Sequence, residues 1–575
     1  MKAIINKLSP TLTVAATLLL WWLLNLILAG SVELANDEAY YWWWASDCGI
    51  DWGYYDHPPA VAWLIWLSLW IPGELGVRFF STLLLPLYLL LLWHIWLSFN
   101  PTPSKSSALS FIAIAFSMPL LQLYGILALP DAPLLFSATV FIWALLRLWR
   151  NPSALNALIV GISTALIGYS KYQGVLLVAT ALILYLVYSL RSESTTERRK
   201  ITLYVVIWLI TAFLLYSPHI LWLYRHDWVT LRYHLIERSS LPYRPTFTLE
   251  YLLNFFAVFN PLLLWFLYKA VLHKVRKATF QDALMLWTFF CYFLFFFLAS
   301  FKGRTQPQWT LVAVLPAVWL LLDEYEHSSS RPTKKAFRIV LYISIAAMLC
   351  VRILILINPL HFKGELWDNR KNCMAVAAMA QERPVVVLHN YTLPCKYIFY
   401  THRPACCIPV YYDRDSQWRY TTGDSAYASK PAIVIVQDWL SDQVIPNTPF
   451  HCIENDRYLP LSRIHITPLT AVASDSSLCA TLLISNPYPY DLVPTADNDL
   501  KLRLSTMVTS HDEANTLSAL NDTIPAETST TVECRFQLGN MAEAIHSKPL
   551  RFCIQANGIT PSHNSKPTLL NQIQH

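Results

Sequence analysis

The sequence predicts a polytopic α-helical membrane protein with a folded tail outside the membrane. Three observations support this fold class. The 575 residues are 55% hydrophobic and only 14% charged, whereas soluble domains usually carry about 25% charged residues. The apolar residues are grouped into runs long enough to cross a bilayer. After about residue 358, these runs give way to polar sequence with short apolar segments that are typical of strands.

About eleven apolar segments are candidates for spanning helices, several of them near the lower limit of ~17 residues. The first could be a signal peptide, but it has no convincing small-residue cleavage site and many spans follow it, so we expect a retained helix. The segments lie at roughly 9–30, 76–99, 107–127, 130–149, 154–170, 173–190, 201–221, 250–272, 281–300, 308–322 and 338–357.

Lysine and arginine are concentrated in alternate connections between these segments, as in "RSESTTERRK". Basic residues favour cytoplasmic loops. We therefore expect a multi-pass protein of the inner (plasma) membrane, with a cytoplasmic N-terminus and a periplasmic, extracytoplasmic tail. The same assignment puts 31–75, 221–249 and 301–307 outside. Because topology explains the basic runs and the formal net charge of +6, nucleic acid is not expected as a partner.

The tail divides into two parts. Residues 359–445 contain three strand-like segments and one helix-like segment, which predicts a small extracytoplasmic α/β unit. Residues 446–575 alternate apolar and polar residues, which predicts a β-rich, sandwich-like module. Eight of the eleven cysteines lie in this tail. Their spacing matches no zinc site, and both disulfides and buried free thiols remain open.

Ionisable residues are concentrated at the predicted outer ends of the spans. A carboxylate at membrane depth costs roughly 2.5–3.5 kcal/mol, so such residues usually face a cavity and have a function. A carboxylate there can take a proton from an attacking hydroxyl or amine, and cations can hold a phosphate. The candidates, with their aromatic neighbours, are Asp37, Glu38, Tyr55, Asp56, His57, Asp131, Lys171, Tyr172, His234, Arg238, Lys302 and Arg304.

Each candidate also has a plainer interpretation. Asp37 and Glu38 could end a helix at the interface, and Asp131 could cap the helix that follows it. The cations could extend to lipid head groups. The Trp and Tyr residues of 40–66 would form an aromatic belt in any membrane protein. A histidine such as His234 is more often a loop residue than a metal ligand.

Six motifs, taken as an ordered set, resemble the polyprenyl-phosphate-sugar-dependent glycosyltransferases of the GT-C class. The most similar groups are glycosyltransferase family 39 and the aminoarabinose (lipid A) transferases. The likeness extends from about residue 30 to about residue 420, and beyond about 445 the sequence resembles nothing familiar. The motifs are "NDEAYYWWW", "WGYYDHPPAVAWL", "GELGVRF", "LPDAPLLF", "YSKYQGVLL" and "FKGRTQPQWT".

The resemblance implies a GT-C membrane domain over 1–358, with the active site between the first outer loop, 31–75, and the membrane. It places the catalytic acids at Asp37, Glu38 and Asp131. It also places basic residues against the donor phosphate, at Lys171 and near Arg238, to which we add Lys302 and Arg304 as cations at the same predicted face.

The resemblance also bears on cofactors and on the sugar. No cofactor is required, although the divalent metal of some aminoarabinose transferases would fall on Asp56 and His234. Where those enzymes have a lysine, this chain has His57, which argues against aminoarabinose. The remaining cavity residues would be Tyr55 and Tyr172.

The expected function is transfer of a sugar, with inversion, from a polyprenyl-phosphate donor to a lipid A-type glycolipid, a polysaccharide or a protein at the outer face of the bilayer. Asp37 would be the base, and the cations would stabilise the leaving phosphate. Two other classes of protein stay open. One is a catalytically inactive GT-C-fold protein that binds glycans or assists assembly. The other is a transporter, which would more typically show inverted repeats and Gly- or Pro-broken helices.

Overall fold

The computed structural model describes residues 9–189, 195–235, 243–276, 278–328, 330–421, 423–506 and 515–573. The chain forms two compact units, Met1–Trp367 and Asp368–His575. The first unit is helical and the second contains the sheets, as the sequence predicts.

The first unit consists of sixteen α-helices within the described residues, joined by short turns. They are α1 (Pro10–Ser31), α2 (Asn36–Trp43), α3 (Ala60–Trp66), α4 (Gly73–Leu97), α5 (Lys105–Phe116), α6 (Pro119–Tyr124), α7 (Asp131–Arg150), α8 (Ala154–Ser170), α9 (Val175–Ser189), α10 (Thr195–Arg225), α11 (Val229–Leu235), α12 (Pro245–Val258), α13 (Leu264–Val275), α14 (Phe280–Ala299), α15 (Val314–His327) and α16 (Arg331–Ile357).

Seven of the described helical segments are long and apolar enough to cross a membrane, so the expected number of about eleven is not confirmed. Helices α5 and α8 are apolar but shorter. The seven segments are Pro10–Ser31, Gly73–Leu97, Asp131–Arg150, Tyr172–Ser189, Arg198–Arg225, Phe280–Ala299 and Arg331–Ile357.

Three of the expected spans are interrupted rather than absent. Proline lacks a backbone N–H and disfavours the helical conformation of the residue before it, which explains the break before Pro119 and the one at Asn260, where φ is 58°. The third span, 308–322, begins as the 3₁₀ segment Pro307–Ala313.

The first two breaks share their hydrogen bonds. The side-chain amide of Asn260 donates to the carbonyl of Ser117 at 2.9 Å and to the hydroxyl of Ser344 at 2.9 Å. All three residues are buried. The carbonyl of Ser117, at the first break, thus receives a hydrogen bond from the Asn260 side chain at the second break. Irregular backbone inside a membrane protein requires such partners for its polar groups.

The long helices share one hydrophobic core. Helix α1 packs against α4, α7 packs against α8, and α8 packs against α10. Buried side chains from these helices and from α14 and α15 form a single cluster. This packing fixes the helix ends at which the charged residues lie.

The second unit begins with an α/β sheet. Its strands are β1 (Val385–Leu388), β2 (Ala405–Ile408), β3 (Ala432–Val436) and β4 (His451–Asn455), in the order β2-β1-β3-β4. The first three run parallel and β4 runs antiparallel to β3. Residues of α17 (Asn369–Ala380) and α18 (Leu393–Thr401) share a buried core with the sheet. Because β4 follows residue 445, this sheet extends beyond the expected limit.

Six further strands form two antiparallel sheets. One sheet has the order β5-β6-β9 and the other the order β10-β7-β8. Their inner faces contribute to one buried core, so the expected sandwich-like module is present. The strands are β5 (His465–Ala473), β6 (Ser477–Asn486), β7 (Lys501–Thr506), β8 (Asn515–Ala519), β9 (Thr528–Gln537) and β10 (Leu550–Gln555).

No two of the eleven cysteines are joined by a disulfide in this structure. Of the two alternatives for the tail, the structure therefore has thiols, and those of β2 are buried. Burial raises the pKa of Cys406 and Cys407 well above the ordinary thiol value, so both are poor nucleophiles.

The second unit also contains a histidine that is held neutral. The guanidinium of Arg551 donates to Nδ1 of His563, and the Nε2 atom of that ring is buried although part of the ring is exposed. Burial and the neighbouring Arg551 lower the pKa of His563 to about 3. A proton on Nδ1 would break the Arg551 contact, so protonation opposes folding.

We expect acid to destabilise the second unit through His563. Between the ordinary histidine pKa of about 6.5 and the folded value, the unfolded chain binds a proton that the folded chain does not, so stability falls as the pH falls. The loss on going from pH 7.5 to pH 5 should be about 2 kcal/mol at most. Urea midpoints of the full chain, read by deuterium uptake in β10, measure it. His563→Gln should show a smaller loss, and an equal loss in both proteins would contradict the assignment.

Candidate active site

A cavity of about 330 Å³ in the first unit gathers five of the sequence-predicted residues, namely Asp37, His57, Asp131, Lys171 and His234. They come from parts of the chain that are far apart in sequence, so the fold brings them together. The other lining residues are Ala35, Tyr41, Tyr124, Leu127, Leu129, Pro130, Gln173, Gln306, Gln308, Trp309 and Glu365.

Asp131 and Lys171 form a buried ion pair on the cavity wall. The Lys171 ammonium lies 2.9 Å and 2.8 Å from the two carboxylate oxygens of Asp131. Asp131 is the first residue of α7 and Lys171 directly follows α8, so the packing of these two helices sets the contact. A carboxylate in the first turn of a helix is also stabilised by the helix dipole.

Asp37 and Glu38 are neighbours in α2, but their side chains have different environments. Asp37 is exposed and lines the cavity. The side chain of Glu38 is 0% exposed, and its Oε2 atom accepts the backbone N–H of Ala35 at 3.0 Å. Glu38 therefore closes the start of α2 in the manner of a capping box, and this contact fixes the turn that presents Asp37.

Glu38 is held by Arg78 of α4, whose side chain is also 0% exposed. The guanidinium donates to both carboxylate oxygens, with Nε–Oε1 at 2.7 Å and Nη2–Oε2 at 2.5 Å. The expected catalytic role of Glu38 does not fit this placement, because the carboxylate has no access to the cavity. Its position makes it a positioning residue.

The same ion pair reaches the ends of two other segments. Arg78 donates to the carbonyl oxygens of Ala29, Val32 and Glu33 at 2.9, 2.6 and 2.9 Å. The backbone N–H of Ala128 donates to Glu38 at 2.8 Å. The end of α1, the start of α2 and the turn that leads to Asp131 are thus joined through two buried side chains.

Three predicted cavity residues lie behind the lining rather than in it. Tyr55 packs in an apolar cluster with Trp222. Asp56 is buried, and its carbonyl oxygen accepts a hydrogen bond from Nε2 of His234 at 2.9 Å. The hydroxyl of Tyr172 lies 2.9 Å from Nε2 of His219. None of the three is among the residues that line this cavity, although Asp56 holds His234, which does.

The structure gives little support to a metal at Asp56 and His234. Nε2 of His234 is used in the hydrogen bond to the Asp56 backbone, and the ring stacks on His57 with centroids 5.8 Å apart. In the described part of the chain, no group of three or more His, Cys, Asp or Glu side chains is arranged to hold a metal. The donor set at Asp56 and His234 does not fit a metal site.

Two of the predicted phosphate-binding cations are not in the cavity. Arg304 is mostly exposed and donates to Glu250 at 2.7 Å, and Lys302 lies exposed in the turn after α14. Neither lines the cavity, because the turn directs them outward. Arg238 lies outside the described residues.

Several lining residues were missed by sequence reasoning. Three of them, Gln306, Gln308 and Trp309, belong to the motif that contains Lys302 and Arg304. They were not selected from the sequence because only the charged residues of that motif were considered. Glu365 follows the last long helix, and its carboxylate accepts the backbone N–H of Asn36 at 3.2 Å. Arg78, a lone arginine in the apolar helix α4, was a signal that could have been used.

Comparison with known proteins bears on the family and the fold of the chain. Residues 56–222 match the dolichyl-phosphate-mannose-protein mannosyltransferase family. The crystal structure of ArnT from Cupriavidus metallidurans in the apo state aligns with a TM-score of 0.53 at 12% identity, over 74% of this chain and 92% of that one. The chain has the GT-C fold.

A second GT-C structure gives the same picture. ArnT from Cupriavidus metallidurans bound to undecaprenyl phosphate aligns with a TM-score of 0.53 at 12% identity, over 73% of this chain and 92% of that one. No curated protein matches the sequence. The resemblance to GT-C glycosyltransferases is confirmed by the matched segment and the fold, and the chain is a multi-pass membrane protein.

Breaking the Glu38–Arg78 pair should destabilise the GT-C unit strongly. Arg78→Met leaves a buried carboxylate without its partner, which typically costs about 3–5 kcal/mol. The melting temperature of the purified protein should fall by several degrees. The double variant Glu38→Gln, Arg78→Met should melt above Arg78→Met, because no buried charge remains. Arg147→Met, at an exposed arginine of α7, is the control, and a comparable loss there would refute the special role of Arg78.

Proposed function

We propose that this chain is a membrane glycosyltransferase that moves a sugar from a polyprenyl phosphate to an acceptor at the outer face of the membrane. The observation that carries the proposal is the single cavity into which a carboxylate, Asp37, and a buried ion pair, Asp131–Lys171, both open. A base and an anion-binding group in one cavity are what transfer from a lipid phosphate requires.

Asp37 is assigned the role of the base. It lies in the first turn of α2, where the helix dipole favours the ionised carboxylate, and it is exposed to the cavity. The acceptor hydroxyl or amine attacks the anomeric carbon and loses its proton to Asp37. The bond from that carbon to the phosphate oxygen breaks with its electrons on the phosphate. Direct displacement inverts the anomeric centre.

Lys171 is assigned the role of phosphate binding. Both of its short contacts are to Asp131, and a phosphate oxygen can take the place of one of them without leaving either charge unpaired. The amides of Gln306 and Gln308 line the same cavity and can donate to the other phosphate oxygens. Such donors stabilise the charge that grows on the leaving phosphate.

The polyprenyl tail would lie against the apolar part of the same unit. Leu127, Leu129 and Trp309 line the cavity, and the segment after α2 exposes Trp66 and Trp70. Tryptophan is enriched at membrane interfaces. The ArnT structure with undecaprenyl phosphate supports a donor of this type. A cytoplasmic N-terminus and an extracytoplasmic second unit, in the inner membrane, complete the proposal.

A lipid A-type glycolipid, a polysaccharide and a protein are all kept as acceptors. The second candidate function is that of an inactive GT-C-fold protein that binds glycans or assists assembly. The buried placement of Glu38 favours it in one respect, since one expected catalytic acid is removed from the cavity. The test of Asp37 below separates an enzyme from such a protein.

Asp37→Asn should abolish most of the turnover while leaving donor binding intact. Loss of a general base typically reduces the rate by ~10²–10⁴-fold. Transfer of labelled sugar from extracted polyprenyl phosphates to membrane acceptors gives the rate, and titration with undecaprenyl phosphate gives binding. Asp47→Asn, at an exposed acid of the same outer loop, should retain wild-type turnover. Near wild-type turnover of Asp37→Asn would refute its role as the base.

Removing the cavity cation should weaken donor binding. A charge-assisted hydrogen bond contributes roughly 1.5–3 kcal/mol, so we expect about a tenfold or larger loss of affinity for undecaprenyl phosphate. The variant Asp131→Asn, Lys171→Gln removes both charges together and so leaves no unpaired buried carboxylate. The exposed Lys302→Gln and Arg304→Gln are matched controls that should bind normally. If only the controls lost affinity, the phosphate would have to be placed at the turn after α14.

A further inference from the structure

The α/β sheet of the second unit has a topological switch point at the carboxyl ends of its parallel strands. Strand β1 has β2 on one side and β3 on the other. The chain leaves β1 towards β2, and it leaves β3 towards β4 on the opposite side. In open α/β sheets, ligands bind in the crevice that such a divergence leaves. Nothing in the proposed transfer reaction uses this edge.

Polar side chains from all three loops meet at this edge in two hydrogen-bonded pairs. His389 directly follows β1, and its Nδ1 lies 2.9 Å from the carboxylate of Asp413 in the loop after β2. Gln437 directly follows β3, and its amide donates to the hydroxyl of Tyr412 at 2.8 Å. The pairs lie side by side, since the rings of His389 and Tyr412 have centroids 6.2 Å apart.

His389 also adopts an uncommon backbone conformation. Its φ is 70°, in the left-handed region that costs energy for a residue other than glycine. The side chain of His389 is 48% exposed, so the conformation presents the imidazole to solvent.

The loops at the edge are anchored from behind by other contacts. The guanidinium of Arg551 donates to the carbonyl of Tyr411 at 2.6 Å, and the N–H of Tyr411 donates to the carbonyl of Pro561 at 3.0 Å. The indole of Trp418 donates to the carbonyl of Tyr391 at 2.9 Å. These contacts anchor the loops independently of the two outer pairs, in which the His389 side chain is 48% exposed and the Asp413 side chain is 26% exposed.

The chemistry of the edge suits a neutral ligand rich in hydroxyl groups. Within the described residues the Oε1 atom of Gln437 is buried without a hydrogen-bond partner, so an acceptor is left unsatisfied at this edge. The carboxylate of Asp413 lies 2.9 Å from the imidazole of His389, which disfavours an anion. Trp439, two residues after Gln437, is 51% exposed. A sugar hydroxyl both donates and accepts, and a sugar ring can lie on an aromatic face.

We propose that this edge, around His389, Asp413 and Gln437, is a second saccharide-binding site that takes a neutral glycan. It goes beyond the proposed transfer reaction, because the site has its own residues and needs no catalysis. The chemistry is non-covalent binding: amide, imidazole and carboxylate groups bond to hydroxyls while an exposed indole covers one face of the sugar.

Saturation-transfer NMR on the full chain in nanodiscs tests the site. The neutral probes are maltotetraose, mannotetraose and chitotetraose, and the anionic probes are tetragalacturonate and inorganic phosphate. At least one neutral probe should bind with saturation in the millimolar range, and Asp413→Asn and Gln437→Ala should each weaken it about tenfold. Trp439→Ala, at a side chain that is 51% exposed, gives the same test if either of the other variants fails to fold.

His402→Ala is the matched control. His402 is also an exposed histidine with a positive φ, 55°, but it lies before β2, at the opposite edge of the sheet. Its substitution should not change binding. Asp37→Asn should bind the glycan as the wild type does, and excess undecaprenyl phosphate should not displace it, so the outcome does not depend on the transfer reaction.

Four results would overturn the proposal. One is that no neutral probe binds. Another is that only the anionic probes bind. The third is that a neutral probe binds equally well to wild type, Gln437→Ala and Trp439→Ala. The fourth is that undecaprenyl phosphate displaces the neutral probe, which would move the site to the first unit.

Discussion

The buried ion pair between Glu38 and Arg78 is the constraint on which the candidate site depends. It joins the end of α1, the start of α2 and the turn before α7. Asp37 is adjacent to Glu38 in sequence, and Asp131 follows Ala128 by three residues. The two cavity acids therefore owe their relative position to a contact that lies outside the cavity. A buried pair is weak evidence for net stability but good evidence for a fixed geometry when its partners are fully bonded, as these are.

The unit holds a second ion pair whose setting is different. The carboxylate of Glu38 is enclosed and bonded by the guanidinium and two backbone N–H groups, whereas Asp131 and Lys171 bond to each other on the wall of a cavity. Arginine suits the first setting because its planar fork satisfies two oxygens at once. Lysine suits the second because its single ammonium can exchange one oxygen for another. The basic residue therefore differs between the two pairs: arginine is found in the structural pair and lysine in the pair that can take part in binding.

Sequence reasoning predicted the elements better than the direction of their side chains. Apolar runs must become helices in a bilayer, so the segments were found, and Pro261 and Pro119 could have shown which of them break. The strands of the tail were visible from their alternation. Lys302 and Arg304 were misplaced because charge alone does not say which way a turn faces. Glu38 was assigned to catalysis because adjacent acids look alike in sequence, although one helical step separates a cavity-facing residue from a buried one.

The side chains that line the cavity determine how the leaving phosphate would be stabilised. Of the described lysines and arginines only Lys171 lines it, and that side chain is already neutralised by Asp131. The described walls therefore do not provide enough cationic side chains to balance the charge of the phosphate. Neutral donors, the amides of Gln306 and Gln308, make up the difference, and fixed dipoles in a partly apolar site can stabilise a developing charge without first binding tightly to the ground state. A donor phosphate carries part of its charge before the reaction and more after it. A cavity wall with amide dipoles and one exchangeable cation stabilises the departing phosphate more than the phosphate of the bound donor. Such a difference accelerates the transfer, whereas equal stabilisation of both would only bind the lipid.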